Sequence, residues 1–180
     1  DCLHDLAFEI LADPATHEDP TARLELVTEL AVQSGPAGMA GGQMMDLVAG
    51  DVTYDLAGIT RLQQLKTGAL IVWCLEAGAI MGRASEAQRK QLRAYARDLG
   101  LAFQIADDLL DVEGASAKTG KAVQKDAAAG KATFVSLLGV ERARDQANAL
   151  IDQAIGHLSS YGPEADLLRA IARFAVEREN

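Results

Sequence analysis

Two cysteines, Cys2 and Cys74, are the only thiols in a chain of 180 residues. That number excludes a disulfide framework and suits a reducing compartment. Histidine is equally scarce. His4, His17 and His157 lack metal-ligand spacing, and neither Cys nor Ser stands beside one, so no activated nucleophile is evident. Positive charge is in deficit, with a formal net charge of −9. A general nucleic-acid partner is therefore excluded, because polyphosphate chains need a basic face. Aromatic residues are only 4% of the chain, β-branched runs are scarce and no stretch alternates with period two, which argues against a sheet. No charged-then-apolar leader is visible, so the expected location is cytoplasmic. The most apolar stretch, residues 68–82, is short for a membrane span and is interrupted by Glu76. A buried helix is the better reading.

Helix-forming residues dominate what remains. Hydrophobic residues make up 49% of the chain, enough for one compact core. The pattern predicts helices near 2–12, 22–34, 36–49, 55–81, 86–112, 132–160 and 164–178, and thus a single all-α domain over 1–180. Ser85 with Gln88 three residues later matches a capping box ahead of a long helix. Pro163 opens the last helix at a favoured early position. In 132–160, Leu137, Leu138, Ala143, Ala147, Leu150, Ile151, Ala154, Ile155 and Leu158 form one apolar stripe, for which core packing is the default explanation. Between them, Glu113 to Gly130 reads as a long connection rich in Gly, Ala and Lys, and such connections are often functional. The opening residues, Asp1 to Phe8, look like the inside of a helix, so a preceding segment is expected.

The strongest chemical signal is Asp107-Asp108-Leu109-Leu110-Asp111 inside the apolar run FQIADDLLDV. On a helix Asp107 and Asp111 share a face, and Gln104, one turn earlier, projects to that side. Like charges so placed repel, and a hard divalent cation removes the conflict. Magnesium takes carboxylate and water oxygens and is commonly shared with substrate phosphates. A solvated acidic face explains a lone DDxxD about as well. The second signal is cationic. Of six lysines in the chain, four (Lys118, Lys121, Lys125 and Lys131) follow the acidic motif directly. They suit a phosphate, and they suit a solvated loop equally. Together, carboxylates for a cation and lysines for an anion describe a metal–diphosphate site. Two further elements are Lys66-Thr67-Gly68, where Lys66 lies in an otherwise apolar helical segment, and Gly41-Gly42-Gln43-Met44-Met45-Asp46, where Gln43 and Asp46 share a face. An amine that snorkels to solvent and glycines that allow close helix packing account for these as readily.

These four segments, GGQMMDL at 41–47, LKTGALI at 65–71, FQIADDLLDVEG at 103–114 and TGKAVQKDAAAGKATF at 119–134, resemble in order and spacing the isoprenyl (polyprenyl) diphosphate synthases. Within them the likeness is to the bacterial short-chain, farnesyl-type branch. It covers essentially all 180 residues but only the later part of a family chain. The resemblance implies a helical bundle around a central cavity and a Mg2+-dependent, head-to-tail transfer joining an allylic diphosphate (dimethylallyl or geranyl) to isopentenyl diphosphate. It implies that Asp107, Asp108 and Asp111 bind Mg2+, with Asp126 supporting the metal through water. Lys121 and Lys131 would contact the allylic diphosphate. Lys66, the Thr67 backbone and Gln104 would lie by the ionising carbon, Gln43 and Asp46 would line the cavity, and Phe103 would help wall the isopentenyl site. A homodimer and a farnesyl or geranylgeranyl product are also implied.

The departures are specific. The family's first aspartate-rich motif and its following arginines have no counterpart in this sequence, so the piece on its own is expected to be inactive. A terpene cyclase would share one aspartate motif, but the lysine cluster argues against it. A non-catalytic regulatory subunit would favour a degraded motif, whereas Asp107, Asp108 and Asp111 are intact.

Overall fold

A computed structural model describes residues 2–119 and 132–178, the side chains of 115–119 excepted. All of the regular structure among them is helical. In chain order the elements are α1 (Cys2–Ala12), α2 (Pro20–Ser34), α3 (Met39–Leu47), α4 (Leu56–Gln63), a π turn (Gln64–Gly68), α5 (Ala69–Met81), α6 (Glu86–Thr119), α7 (Phe134–Leu138), α8 (Val140–His157) and α9 (Asp166–Glu177). A single 3-10 turn, Pro163–Ala165, leads into α9.

Local chemistry sets several of the boundaries. The Asp19 carboxylate accepts from the Thr21 amide at 2.8 Å, with Pro20 at the first helical position of α2. Asp55 does the same for α4 through the Gly58 amide at 2.8 Å. The expected capping box opens α6: the Ser85 amide donates to Gln88 Oε1 at 2.9 Å, and the Gln88 amide donates back to Ser85 Oγ at 3.4 Å.

Three helix expectations are corrected. The span 55–81 is not one regular helix, because a π turn interrupts it at Gln64–Gly68. Helix α6 runs on to Thr119, seven residues beyond the expected end at 112. Gly114 alone, at about 1 kcal/mol relative to Ala, is too weak to stop a helix continued by Ala115, Ala117 and Lys118. The span 132–160 is two helices. Gly139 has φ +82°, a conformation open to glycine, and it ends α7 through its amide to Val135 O before α8 begins.

The core is organised on α6. Its residues Tyr95, Ala96, Leu99, Ala102, Ile105 and Leu109 are buried at helical spacing. Against them lie Ala143, Ala147, Leu150, Ile151 and Ala154 of α8 and Ala172 and Ala175 of α9. Most of the expected α8 stripe is therefore core, whereas Leu137 is exposed. Tyr95 is fully buried yet keeps its hydroxyl satisfied, donating to Leu168 O at 2.7 Å, which ties α9 to α6. Both cysteines are exposed.

The apolar helix α5 buries one charge. Glu76 is 3% exposed and accepts from Arg89 at 2.6 and 2.9 Å and from Arg93 at 2.6 Å. Arg89 also meets Glu25 at 2.7 Å, so α2, α5 and α6 are joined through one guanidinium. Among the described residues no helix is long and apolar enough to cross a membrane.

Replacing Glu76 with Ala leaves two partly buried guanidinium groups without their shared acceptor. The expected loss is about 3 kcal/mol, at the low end for a broken buried pair because Glu25 and Glu86 remain. Chemical denaturation measures it. A loss below about 1 kcal/mol would class the cluster with surface ion pairs instead.

Candidate functional site

The π turn carries Lys66 and Thr67 and sits between α3 and α6. A π turn is a one-turn irregularity of the kind found at functional sites. Adjacent residues on a helix diverge by roughly 100°, so these two side chains reach different neighbours. Lys66 Nζ pairs with Asp46 Oδ2 of α3 at 2.9 Å, both side chains being partly exposed. Thr67 Oγ1 donates to Gln104 Oε1 of α6 at 3.2 Å. Gln104 Nε2 in turn donates to Asp108 Oδ1 at 3.3 Å, and the Phe134 amide of α7 donates to Asp108 Oδ2 at 3.0 Å. A polar chain thus runs from the π turn across α6 to the start of α7. It brings together Thr67, Gln104 and Asp108, with Lys66 and Asp46 adjoining. Gln43 lies half-buried on α3, one turn before Asp46.

The acidic motif is divided by its own helix. Asp107 and Asp111, four apart, line an open groove of about 770 Å³ between α6, α8 and α9, together with Leu110, Glu113, Asn148 and Arg178. Asp108 is turned inward, 9% exposed, and both of its oxygens accept from protein donors. Gln104 follows Asp108 and is not a groove residue, nor is Lys66. Lys66 is linked to the acidic motif only through its neighbour Thr67, whose hydroxyl begins the polar chain, and not through a shared wall of this groove.

Burial pushes the Asp108 carboxyl above its ordinary value. The neighbouring charges of Asp111 and Asp107 push the same way, and the hydrogen bonds from the Phe134 amide and Gln104 oppose them.

Two groove residues were not foreseen. Arg178, just past α9, pairs with Asp107, and its guanidinium carbon stands 4.1 Å from the centre of the Phe103 ring. Phe103, expected as a wall of a substrate pocket, is therefore covered by Arg178. Arg144 of α8 pairs with Glu113. Both are single arginines without a motif around them, so sequence pattern carried no signal for them. Lys121, Lys131 and Asp126 lie outside the described residues, as does the side chain of Lys118.

Among the described residues no three acidic, His or Cys side chains converge on a cation. The donor chemistry at the groove still suits magnesium, which is typically held by one or two carboxylates plus waters and substrate phosphates. Asp107 and Asp111 offer two hard oxygen ligands, and the cationic Arg178 beside Asp107 marks where positive charge is favoured.

The architecture is that of the all-α isoprenyl synthases. A crystal structure of an FPP/GFPP synthase from Zymomonas mobilis superposes with a TM-score of 0.87 at 58% identity, over 98% of this chain and 59% of that one. A geranyltransferase from Helicobacter pylori, solved in complex with magnesium and isoprenyl diphosphate, gives a TM-score of 0.78 at 31% identity, over 98% and 57%. Residues 1–171 match the Polyprenyl synthetase family, and the chain belongs to that family. Farnesyl diphosphate synthase of Escherichia coli K12 is 39% identical over 183 aligned residues, covering 99% of this chain and 61% of that enzyme. The chain thus spans about 60% of the length of the relatives it matches.

The raised Asp108 carboxyl fixes a sign for pH dependence. A folded state that holds this proton to higher pH than the unfolded chain is most stable, on this account, below the ordinary carboxylate range. That stability is lost as pH rises through the raised value. Asp108→Asn keeps an acceptor for the Phe134 amide and removes the titration. It is expected to flatten this part of the stability profile and to be no less stable than the wild type at neutral pH. Melting temperatures of both proteins from acid to neutral pH test this. Parallel profiles would mean that Asp108 ionises as an ordinary carboxylate.

Proposed function

We propose that this chain is the metal- and diphosphate-binding part of a Mg2+-dependent prenyltransferase, and corresponds to the C-terminal part of a longer synthase domain. Each cycle joins an allylic diphosphate, starting from dimethylallyl or geranyl, head to tail to isopentenyl diphosphate with release of pyrophosphate and a proton, and successive cycles give farnesyl or geranylgeranyl diphosphate. The observation that carries this reading is the conjunction of two sites on α6 in a member of the polyprenyl synthetase family. Asp107 and Asp111 face an open groove, and Gln104 and Asp108 join the Lys66–Thr67 turn. The magnesium and isoprenyl diphosphate in the Helicobacter pylori structure support the same assignment.

In this reading Asp107 and Asp111 hold Mg2+, and Asp108 fixes the helix that presents them. Bound Mg2+ supplies positive charge against which pyrophosphate can depart. Lys66, restrained by Asp46, faces the diphosphate side, while Thr67 and Gln104 place fixed dipoles beside the carbon that becomes cationic. Preorganised charges and dipoles of this kind act on developing charge without needing a nucleophile. Phe103 contributes an apolar wall that limits water, and Gln43 lines the same space. Lys121, Lys131 and Asp126 take the roles that the family resemblance implies. The basic residues of the isopentenyl subsite and a second set of acidic ligands would come from the part of the relatives' length that this chain does not span, with Phe103 supplying part of that subsite's wall. An acidic chain with two unpaired thiols suits the cytoplasm, and the resemblance supports a homodimer.

On this account the 180-residue chain alone shows no prenyl transfer from dimethylallyl to isopentenyl diphosphate. Clear turnover by the purified chain would contradict it. In the intact protein, Asp107→Ala is expected to lower kcat roughly a hundred- to a thousandfold, about 2.7–4 kcal/mol, as for loss of a group that stabilises developing charge. Lys118→Ala, off the family pattern, should change kcat little, whereas Lys121→Ala and Lys131→Ala should weaken allylic substrate use at any moderate salt concentration. Equal, salt-sensitive effects at all three lysines would indicate diffuse attraction instead, and a fully active Asp107→Ala protein would defeat the metal assignment.

A further inference from the structure

The π turn is held by two jaws built in the same way. On α3, Gly42 abuts the turn, and a Cβ added there would lie 2.2 Å from Lys66 N and 2.6 Å from Lys66 Cα. Four residues later Asp46 receives the Lys66 amine. On α6, Gly100 abuts the turn, and a Cβ added there would lie 3.1 Å from Gly68 Cα and 3.4 Å from Ile71 Cδ1. Four residues later Gln104 receives the Thr67 hydroxyl.

The repeated spacing has a geometric cause. Helical side chains lean toward the N-terminus, so a residue covers the turn that precedes its own Cα. Asp46 therefore lies over Gly42, and Gln104 over Gly100. A missing side chain lets the backbone of the π turn dock directly, and the polar side chain one turn later closes over the docked residue. We propose that Gly42 and Gly100 are positioning residues. They set the depth at which Lys66 and Thr67 sit against α3 and α6, and so the reach of both groups toward substrate. The inference rests on the prenyl-transfer reading, which assigns substrate contacts to Lys66, Thr67 and Gln104.

Gly100 gives the usable test, because its clash is small and is relieved by a shift of a few tenths of an ångström at Gly68. Gly42→Ala would drive into the main chain and serves only as the severe case. In the intact protein, Gly100→Ala is expected to lower kcat roughly tenfold with little change in KM, since small misplacements of reacting groups are costly in rate. Gly78→Ala, on α5, meets nothing within 4 Å and is the control, expected to keep wild-type kcat. The decisive readout is a double-mutant cycle with Gln104→Ala. If Gly100 acts through the Thr67–Gln104 contact, the second substitution adds little further loss in kcat, while the melting temperature falls by the same amount in both backgrounds. Losses in kcat that multiply in the double variant, or a Gly100→Ala protein with wild-type kcat, would overturn the positioning role. Wild-type turnover in both Gln104→Ala and Asp107→Ala would instead overturn the reading of the site itself, so the two failures are told apart.

Discussion

The close approach of α6 to the π turn, backbone against backbone at Gly100 and Gly68, is the constraint on which the rest of the site depends. Helices separated by side chains of ordinary size stand about 8–10 Å apart. At such a separation Thr67 would not reach Gln104, and the polar chain from the turn to Phe134 would be cut at its first link. The same helix must also seat α8, and there it uses small residues again, with Ala102 and Ala106 on α6 and Ala143 and Ala147 on α8. Helix α6 is therefore loaded on two sides. Both contacts fall within one regular stretch of α6, residues 100–106, which fixes their spacing along the helix.

The carboxylates of α6 differ in how easily they can change partners. Asp107 is neutralised by a side chain, Arg178, which can swing away by rotation. Asp108 is held by a main-chain amide at the start of α7, and that start is itself fixed by a reciprocal cap between Thr133 and Ser136. A cation can take over the charge now met by Arg178 once that side chain swings away, whereas one oxygen of Asp108 is committed to the Phe134 amide. Burial adds to the difference, because it disfavours the charged form of Asp108. On the proposed reading Asp107 and Asp111 are the readily available ligands of the motif and Asp108 the one already tied to the protein, which is compatible with the small number of carboxylates magnesium commonly takes from protein.

Much of this was legible in the sequence, and what was not has identifiable causes. Apolar spacing revealed α6 and α8, because burial of one helical face leaves a periodic trace. Ser85 and Gln88 revealed the start of α6, since a cap needs those residue types at that separation. The break at Gly139 was hidden because the apolar period continues across it, and only a backbone angle marks the turn. The π turn was hidden for a similar reason, as Leu65, Gly68 and Ala69 continue a helical pattern straight through it. The grouping of Lys66, Thr67, Gln104 and Asp46 came from the family resemblance, while the inward turn of Asp108 follows from which side of α6 meets α7. Arg178 and Arg144 act through the tertiary placement of α9 and α8, and a one-dimensional pattern has no means of expressing that.

The π turn also explains why a lysine and a threonine next to each other in sequence can serve one site from two supports. Lys66 pairs with α3 and Thr67 hydrogen-bonds to α6, so each side chain is restrained by a different helix. A regular helix could present the same two side chains, but packing it against both neighbours at glycine distance demands that its backbone bulge toward them. The inserted residue of a π turn supplies that bulge locally and leaves α4 and α5 regular on either side. Local irregularity, glycine contacts and polar partners then point to one arrangement, and it is where such features coincide that a fold departs from its simplest form for the sake of chemistry.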